Sequence, residues 1–157
     1  MASSPEELGY HETLRSVSEQ NRTLEGIRSS AGILLAANSL GTSFFGNLTL
    51  HVPRPGFGQG LVILSFVLSA GFCVSILWPQ RGWYSQFSAS RFFDGLASRP
   101  VRPTSEDVQR LLALYLEGHV YKNTAVLDTL FLRFRTAAVL LIVEVLGWIL
   151  AVGGSHA

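Results

Sequence analysis

Glu144 interrupts an otherwise apolar run, TAAVLLIVEVLGWILAVGG, and is the first residue here whose type and setting could do chemistry. An ionised carboxylate in hydrocarbon is expensive, so a residue so placed is neutral, paired, or turned toward water. Two further apolar runs, 31–50 and 61–78, offer it no cation, only the amides Asn38 and Asn47 and several hydroxyls. Three roles stay open for Glu144. It could be a pore-facing or self-associating carboxylate, a neutral acid bonded to Asn or Ser within one protomer, or a proton relay. Three helices are too few to enclose a pathway, so a pore requires a homo-oligomer, where a ring of carboxylates around the axis would favour cations.

A second group, Arg110, Glu117, His119 and Lys122, could meet an anionic small molecule if helices converge there; its other reading is a solvated, salt-bridged surface. Arg110, His119 and Lys122 are the candidate ligand-binding residues. Catalysis finds no motif: there is no HExxH, GxSxG, Walker or dinucleotide loop, and His11, His51, His119 and His156 lie in separate segments without metal-ligand spacing. The expectation is no enzyme, no catalytic residue, no metal and no cofactor. A net charge of +1 and the lack of a basic stripe argue against nucleic acid. The single cysteine, Cys73, has no internal disulfide partner.

The elements that must position these residues follow from the three runs. A bilayer core needs about 20 mostly apolar residues per spanning helix, which predicts three spans in an all-α integral membrane protein. The expected organisation is a cytoplasmic N-terminal helix (1–28), a two-helix transmembrane hairpin (29–79), a cytoplasmic helical region (80–135), a third transmembrane helix (136–154) and a short tail (155–157). The first apolar run starts at residue 31 behind a glutamate-rich segment, so it reads as a span and not as a leader. Cations gather before the first span and between the second and third. The positive-inside rule then sets the N-terminus in the cytoplasm and the C-terminus outside.

Within the N-terminal helix, Tyr10, Leu14, Val17, Leu24 and Ala31 form an apolar stripe that Asn21 interrupts. Asn21 could select register in a juxtamembrane bundle or lie against other cytoplasmic helices of its own chain. Gly32 with Ala36, Ala37 with Gly41, and Ser65 with Ser69 recur at four-residue spacing, which predicts close helix packing in lipid. Pro53, Pro55, Gly56, Gly58 and Gly60 suit a tight turn between the first two spans. Trp78, Trp83 and Tyr84 fall where an inner aromatic belt is expected, with ligand stacking the alternative. Thr104 can cap a helix to which Asp107 returns the bond, and from Ser105 the pattern permits one long helix to Gly153. Leu111, Leu112, Leu116, Val120, Val126, Leu127 and Leu130 would supply its buried side.

This layout, with a hairpin entered through RSSAGILLAANSLG and a final TLFLRFRTAAVLLIVEVLGWIL, resembles the small transmembrane effectors of bacterial pyrimidine cyclase anti-phage systems. More distantly it is similar to the two-span effectors of other cyclic-nucleotide defence systems. The resemblance implies a multi-pass protein of the bacterial inner membrane. It would respond to cyclic CMP or cyclic UMP, made by a separate cyclase, by impairing membrane integrity as a homo-oligomer, with abortive infection as the outcome. The rival class is a constitutive structural or accessory membrane subunit without ligand gating.

Overall fold

Thr104 and Asp107 open the longest helix by a reciprocal capping box. The Asp107 amide donates to Thr104 Oγ1 at 3.2 Å, and the Thr104 amide donates to Asp107 Oδ2 at 3.1 Å, as their spacing predicts. At the other end of the chain Ser4 performs the same service, accepting from the Glu7 amide ahead of Pro5 at the first helical position. The computed structural model describes residues 4–49, 57–80, 83 and 104–154, without the side chains of 45, 47–49, 57 and 151–154. The turn around Pro53 and Pro55, Tyr84 and the aromatics after it, and the Asn47 side chain lie outside the described residues.

The described residues form an all-α fold of three helices, α1 (Pro5–Thr49), α2 (Phe57–Leu77) and α3 (Ser105–Gly154). The stretch read as an N-terminal helix and the first apolar run are one helix, α1, because no proline or other breaker separates them. α3 likewise continues through Gly118 and past Arg133 and Arg135. Among the described residues one helix, Gly58–Leu77, is long and apolar enough to cross a membrane. In α1 the amides and hydroxyls at 38–47 dilute the apolar run.

The chain divides into two compact units. The first comprises Met1–Leu24 and Arg81–Asp128, the second Glu25–Gln80 and Thr129–Ala157. Buried positions on all three helices step by three, four or seven: Leu24, Ile27, Ala31 and Asn38 on α1; Val62, Ser65, Ser69, Cys73 and Ile76 on α2; Leu116, Asn123, Leu127, Leu130, Ala137, Glu144 and Trp148 on α3. This is the heptad-type seam of helices packed at shallow angles. The seam differs from the sequence expectation at Leu14, which is 39% exposed. Thr13 and Gln20 lie on the seam instead, one position from Leu14 and Asn21.

The two units differ in what they expose. In the first, Leu24, Leu116 and Leu127 are buried, while Glu12, Arg15, Glu19, Arg110, Glu117, Lys122 and Asp128 are exposed, the ordinary arrangement for a surface bathed in water. In the second, the interior combines the apolar Ile27, Val62, Ile76, Leu130 and Trp148 with the polar Asn38, Ser65, Ser69 and Glu144, while the outside carries Ile33, Leu40 and Phe44 of α1, Ile63, Leu64 and Val67 of α2, and Val139, Ile142 and Ile149 of α3. Contiguous apolar exposure on this scale marks a surface whose partner is not water.

Candidate functional site

The interior of the second unit holds a layer of polar groups built from one position on each helix. Asn38 of α1 donates from Nδ2 to Ser69 Oγ on α2 at 2.8 Å, and that hydroxyl donates at 3.0 Å to the carbonyl oxygen of Ala137 on α3. Asn38, Ser69 and Ala137 are each 0% exposed. The relay has a direct backbone end, since a serine hydroxyl can accept and donate at once. One turn further along α1, Thr42 Oγ1 donates to Glu144 Oε1 at 3.0 Å. Glu144 is 1% exposed, with the Trp148 indole one turn on beside the same carboxyl. Among the described residues no cation lies within ion-pair distance of it.

The partner of Glu144 is therefore a threonine of the same chain, which sequence reasoning listed among the polar residues of the first span without assigning it. The signal was available in retrospect. Thr42 lies four residues after Asn38 on the same helical face, so a buried Asn38 brings Thr42 inward with it. Two atoms of the layer keep unfilled capacity: Asn38 Oδ1 and Glu144 Oε2 are buried and accept no hydrogen bond of good geometry from the described residues. Where a polar group is buried with no partner, the cost is about 1–3 kcal/mol, so this interior holds unused bonding capacity.

The small residues divide sharply. Ser65 and Ser69 are buried on the α2 seam. Gly32 and Gly41 have open space where a Cβ would stand, and Ala36 and Ala37 are exposed, so within one chain none of these four gives the close approach expected of it. The reason is phase, because the α1 seam runs through Ala31 and Asn38 and these residues sit beside it. The close approach occurs at Gly147, where a Cβ would collide with Val62.

In the first unit, Gln20 Nε2 donates to the Val120 carbonyl and to Thr124 Oγ1, both at 3.0 Å. The Trp83 indole donates to Asn21 Oδ1 at 3.1 Å, so Asn21 meets a residue of its own chain and Trp83 has a partner besides any headgroup. His119 packs edge-on to Tyr115, ring centroids 4.5 Å apart. Arg110 and Lys122 are exposed. Arg110 stands nine residues from His119, which on an α-helix is a rise of about 13.5 Å and about half a turn of rotation, so α3 itself does not bring the two together. His119 and Lys122, three residues apart, are neighbours on one side. Among the described residues no group of His, Cys, Asp and Glu could hold a metal.

Ser69→Ala is expected to remove both bonds of the relay and to leave the Asn38 amide without its acceptor. The loss should be about 1 kcal/mol of helix–helix association, read from the detergent-unfolding midpoint. An unchanged midpoint would refute a stabilising role for the relay.

Comparison with protein-family models, with curated proteins and with solved structures returns no match to this chain.

Proposed function

We propose that this chain is a three-span protein of the bacterial inner membrane that impairs the membrane as a homo-oligomer when a cyclic pyrimidine nucleotide, cyclic CMP or cyclic UMP, is present. The observation that carries the membrane part is the apolar outside of the second unit, where leucine, isoleucine, valine and phenylalanine of all three helices are exposed while Asn38, Ser69 and Glu144 are buried. Lipid tolerates that surface and water does not. The first unit, with charged residues outside, suits the cytoplasmic side that the arginine distribution indicates.

The effector part rests on the resemblance of RSSAGILLAANSLG and TLFLRFRTAAVLLIVEVLGWIL, together with a carboxyl group that is closed off inside one protomer. In this reading the closed layer is the resting state. Ligand binds an assembled state more tightly, and that difference in affinity drives the change. Assembly would bring the outward-facing Ala37 and Gly41 against a second copy and turn Glu144 toward a shared axis. The anionic nucleotide would meet the cytoplasmic cations, with His119 and Lys122 as the pair that shares a helix side. No catalytic step is needed.

A second reading has its own support. The Asn38–Ser69–Ala137 relay and the Thr42–Glu144 bond each join helices of one chain, as a constitutive structural or accessory subunit would require. Leakage of potassium or dye from liposomes separates the two. The effector reading expects leakage from protein-bearing liposomes on adding cyclic CMP or cyclic UMP and none with the non-cyclic nucleotides. Verified insertion with no nucleotide-dependent leakage would move the assignment to the structural class.

A further inference from the structure

Outside the polar layer, the second unit carries a groove of about 370 Å³ lined by Val67, Leu68, Gly71, Phe72 and Ser75 of α2 and by Arg133 of α3. Its size falls within the range of about 300–1,000 Å³ typical of ligand sites. The groove is open along one side, where Val67 is 56% exposed, and its wall is apolar over two turns of α2. Its polarity is concentrated at one end. Val62 faces Gly147 and Ser69 reaches Ala137, so α2 and α3 run antiparallel within this unit, and Arg133 falls one turn beyond Ala137 beside the Phe72–Ser75 end.

The guanidinium of Arg133 forms no ion pair or hydrogen bond with a described residue, although it is only partly exposed. Ser75 spends its hydroxyl proton on the Phe72 carbonyl at 2.8 Å, which leaves that oxygen's lone pairs as acceptors for the groove end. The parallel register of α1 and α3 in this unit, Asn38 near Ala137 and Thr42 on Glu144, sets Arg28 level with the turn of α3 that precedes Arg133. Arg28 Nε is buried and has no hydrogen-bond partner among the described residues. Cationic charge without an ion-pair partner among the described residues thus gathers at one level of the unit, and Arg133 stands at the mouth of the apolar trough.

We infer that this groove binds one anionic glycerophospholipid, an acyl chain lying against Val67, Leu68 and Phe72 over Gly71 and the phosphate held by Arg133. Charge complementarity selects the headgroup, and a planar guanidinium pairs with a phosphate by two parallel bonds. Gly71 is what leaves the trough open, since a Cβ there would meet nothing within 4 Å. The inference rests on the membrane placement proposed above, and carbonate extraction tests that placement by itself: a chain that washes off membranes fails the placement.

The deciding experiment is native mass spectrometry of the full-length protein in detergent, titrated with phosphatidylglycerol, with phosphatidylcholine of the same chains, and with glycerol 3-phosphate. The wild type should retain one phosphatidylglycerol in preference to phosphatidylcholine, and glycerol 3-phosphate should neither bind nor displace it. Arg133→Gln should lower that preference about fivefold, the weight of one cation at an anionic surface, and Arg133→Lys should restore most of it. Gly71→Leu fills the groove with a side chain that has room to stand, so it should lose both lipids while circular dichroism and elution volume stay unchanged. Equal retention of phosphatidylglycerol by wild type, Arg133→Gln and Gly71→Leu, in a protein that resists carbonate extraction, would overturn the inference. Binding of glycerol 3-phosphate as tight as that of the intact lipid would also overturn it, since the groove would then contribute nothing.

Discussion

Glu144→Gln should leave the helices assembled and abolish nucleotide-dependent leakage, lowering the rate at least tenfold toward that of protein-free liposomes. The substitution is chosen for what it keeps. Glutamine has the same length, and its Oε1 can still accept the Thr42 hydroxyl that Glu144 accepts at 3.0 Å, so the α1–α3 contact survives. Only the capacity to carry negative charge is lost, and a cation pathway lined by a repeated carboxylate depends on that charge. Thr42→Val supplies the opposite case, since it removes the donor and keeps the acid. If Glu144→Gln leaks like wild type and Thr42→Val lowers the unfolding midpoint, Glu144 is a helix-packing residue and the structural reading gains. Carboxylate function would show the reverse, with leakage abolished in Glu144→Gln and its stability unchanged.

The largest effect on stability is expected at Gly147. A methyl group there would run into Val62 Cγ2, and a β-branched side chain has little freedom to turn away. Overpacking of this kind costs about 1–3 kcal/mol, against which alanine returns up to about 1 kcal/mol of helix propensity. Gly147→Ala should therefore lower the detergent-unfolding midpoint, and Gly147→Leu should prevent α3 from docking on α2. Val62→Ala removes the colliding methyl, so the double variant Val62→Ala/Gly147→Ala should be more stable than Gly147→Ala alone. If the second substitution adds its own loss instead, the two helices do not meet at these residues.

The helical class, the capping box at Thr104 and Asp107 and the continuity of α3 were legible in the sequence because each depends on local pattern: a 3.5-residue period, a pair three apart and the absence of proline. Phase was harder to read. Gly32, Ala36, Ala37 and Gly41 look like a packing motif in one dimension, yet the seam of α1 passes beside them through Ala31 and Asn38. A repeat of small residues says that backbones can approach and not which helix approaches. Glu144 was legible as the exceptional residue of its run, but its partner Thr42 lies 102 residues away and only the register of α1 against α3 identifies it. Gly147 was equally hidden, because a glycine in an apolar run has the same appearance whether it faces Val62 or lipid.

The buried acid of α3 also bears on how such a chain is made. For a protein that lives in lipid, each helix must first cross the bilayer before it finds its neighbours, and an acidic residue at the centre of a lone helix costs about 2.5–3.5 kcal/mol to insert. α2 meets that demand easily, since the polar groups on its interior-facing side are hydroxyls and a thiol. α3 meets it less well, since Glu144 has only the Trp148 indole of its own helix beside it until Thr42 is in place. In the three-span reading proposed above, α1 and α2 come off the ribosome first, so they would wait in the membrane as a template with the Thr42 hydroxyl and the Ser69 hydroxyl presented. The last helix would then be recruited by the hairpin as much as by its own hydrophobicity, making vectorial synthesis part of the assembly pathway.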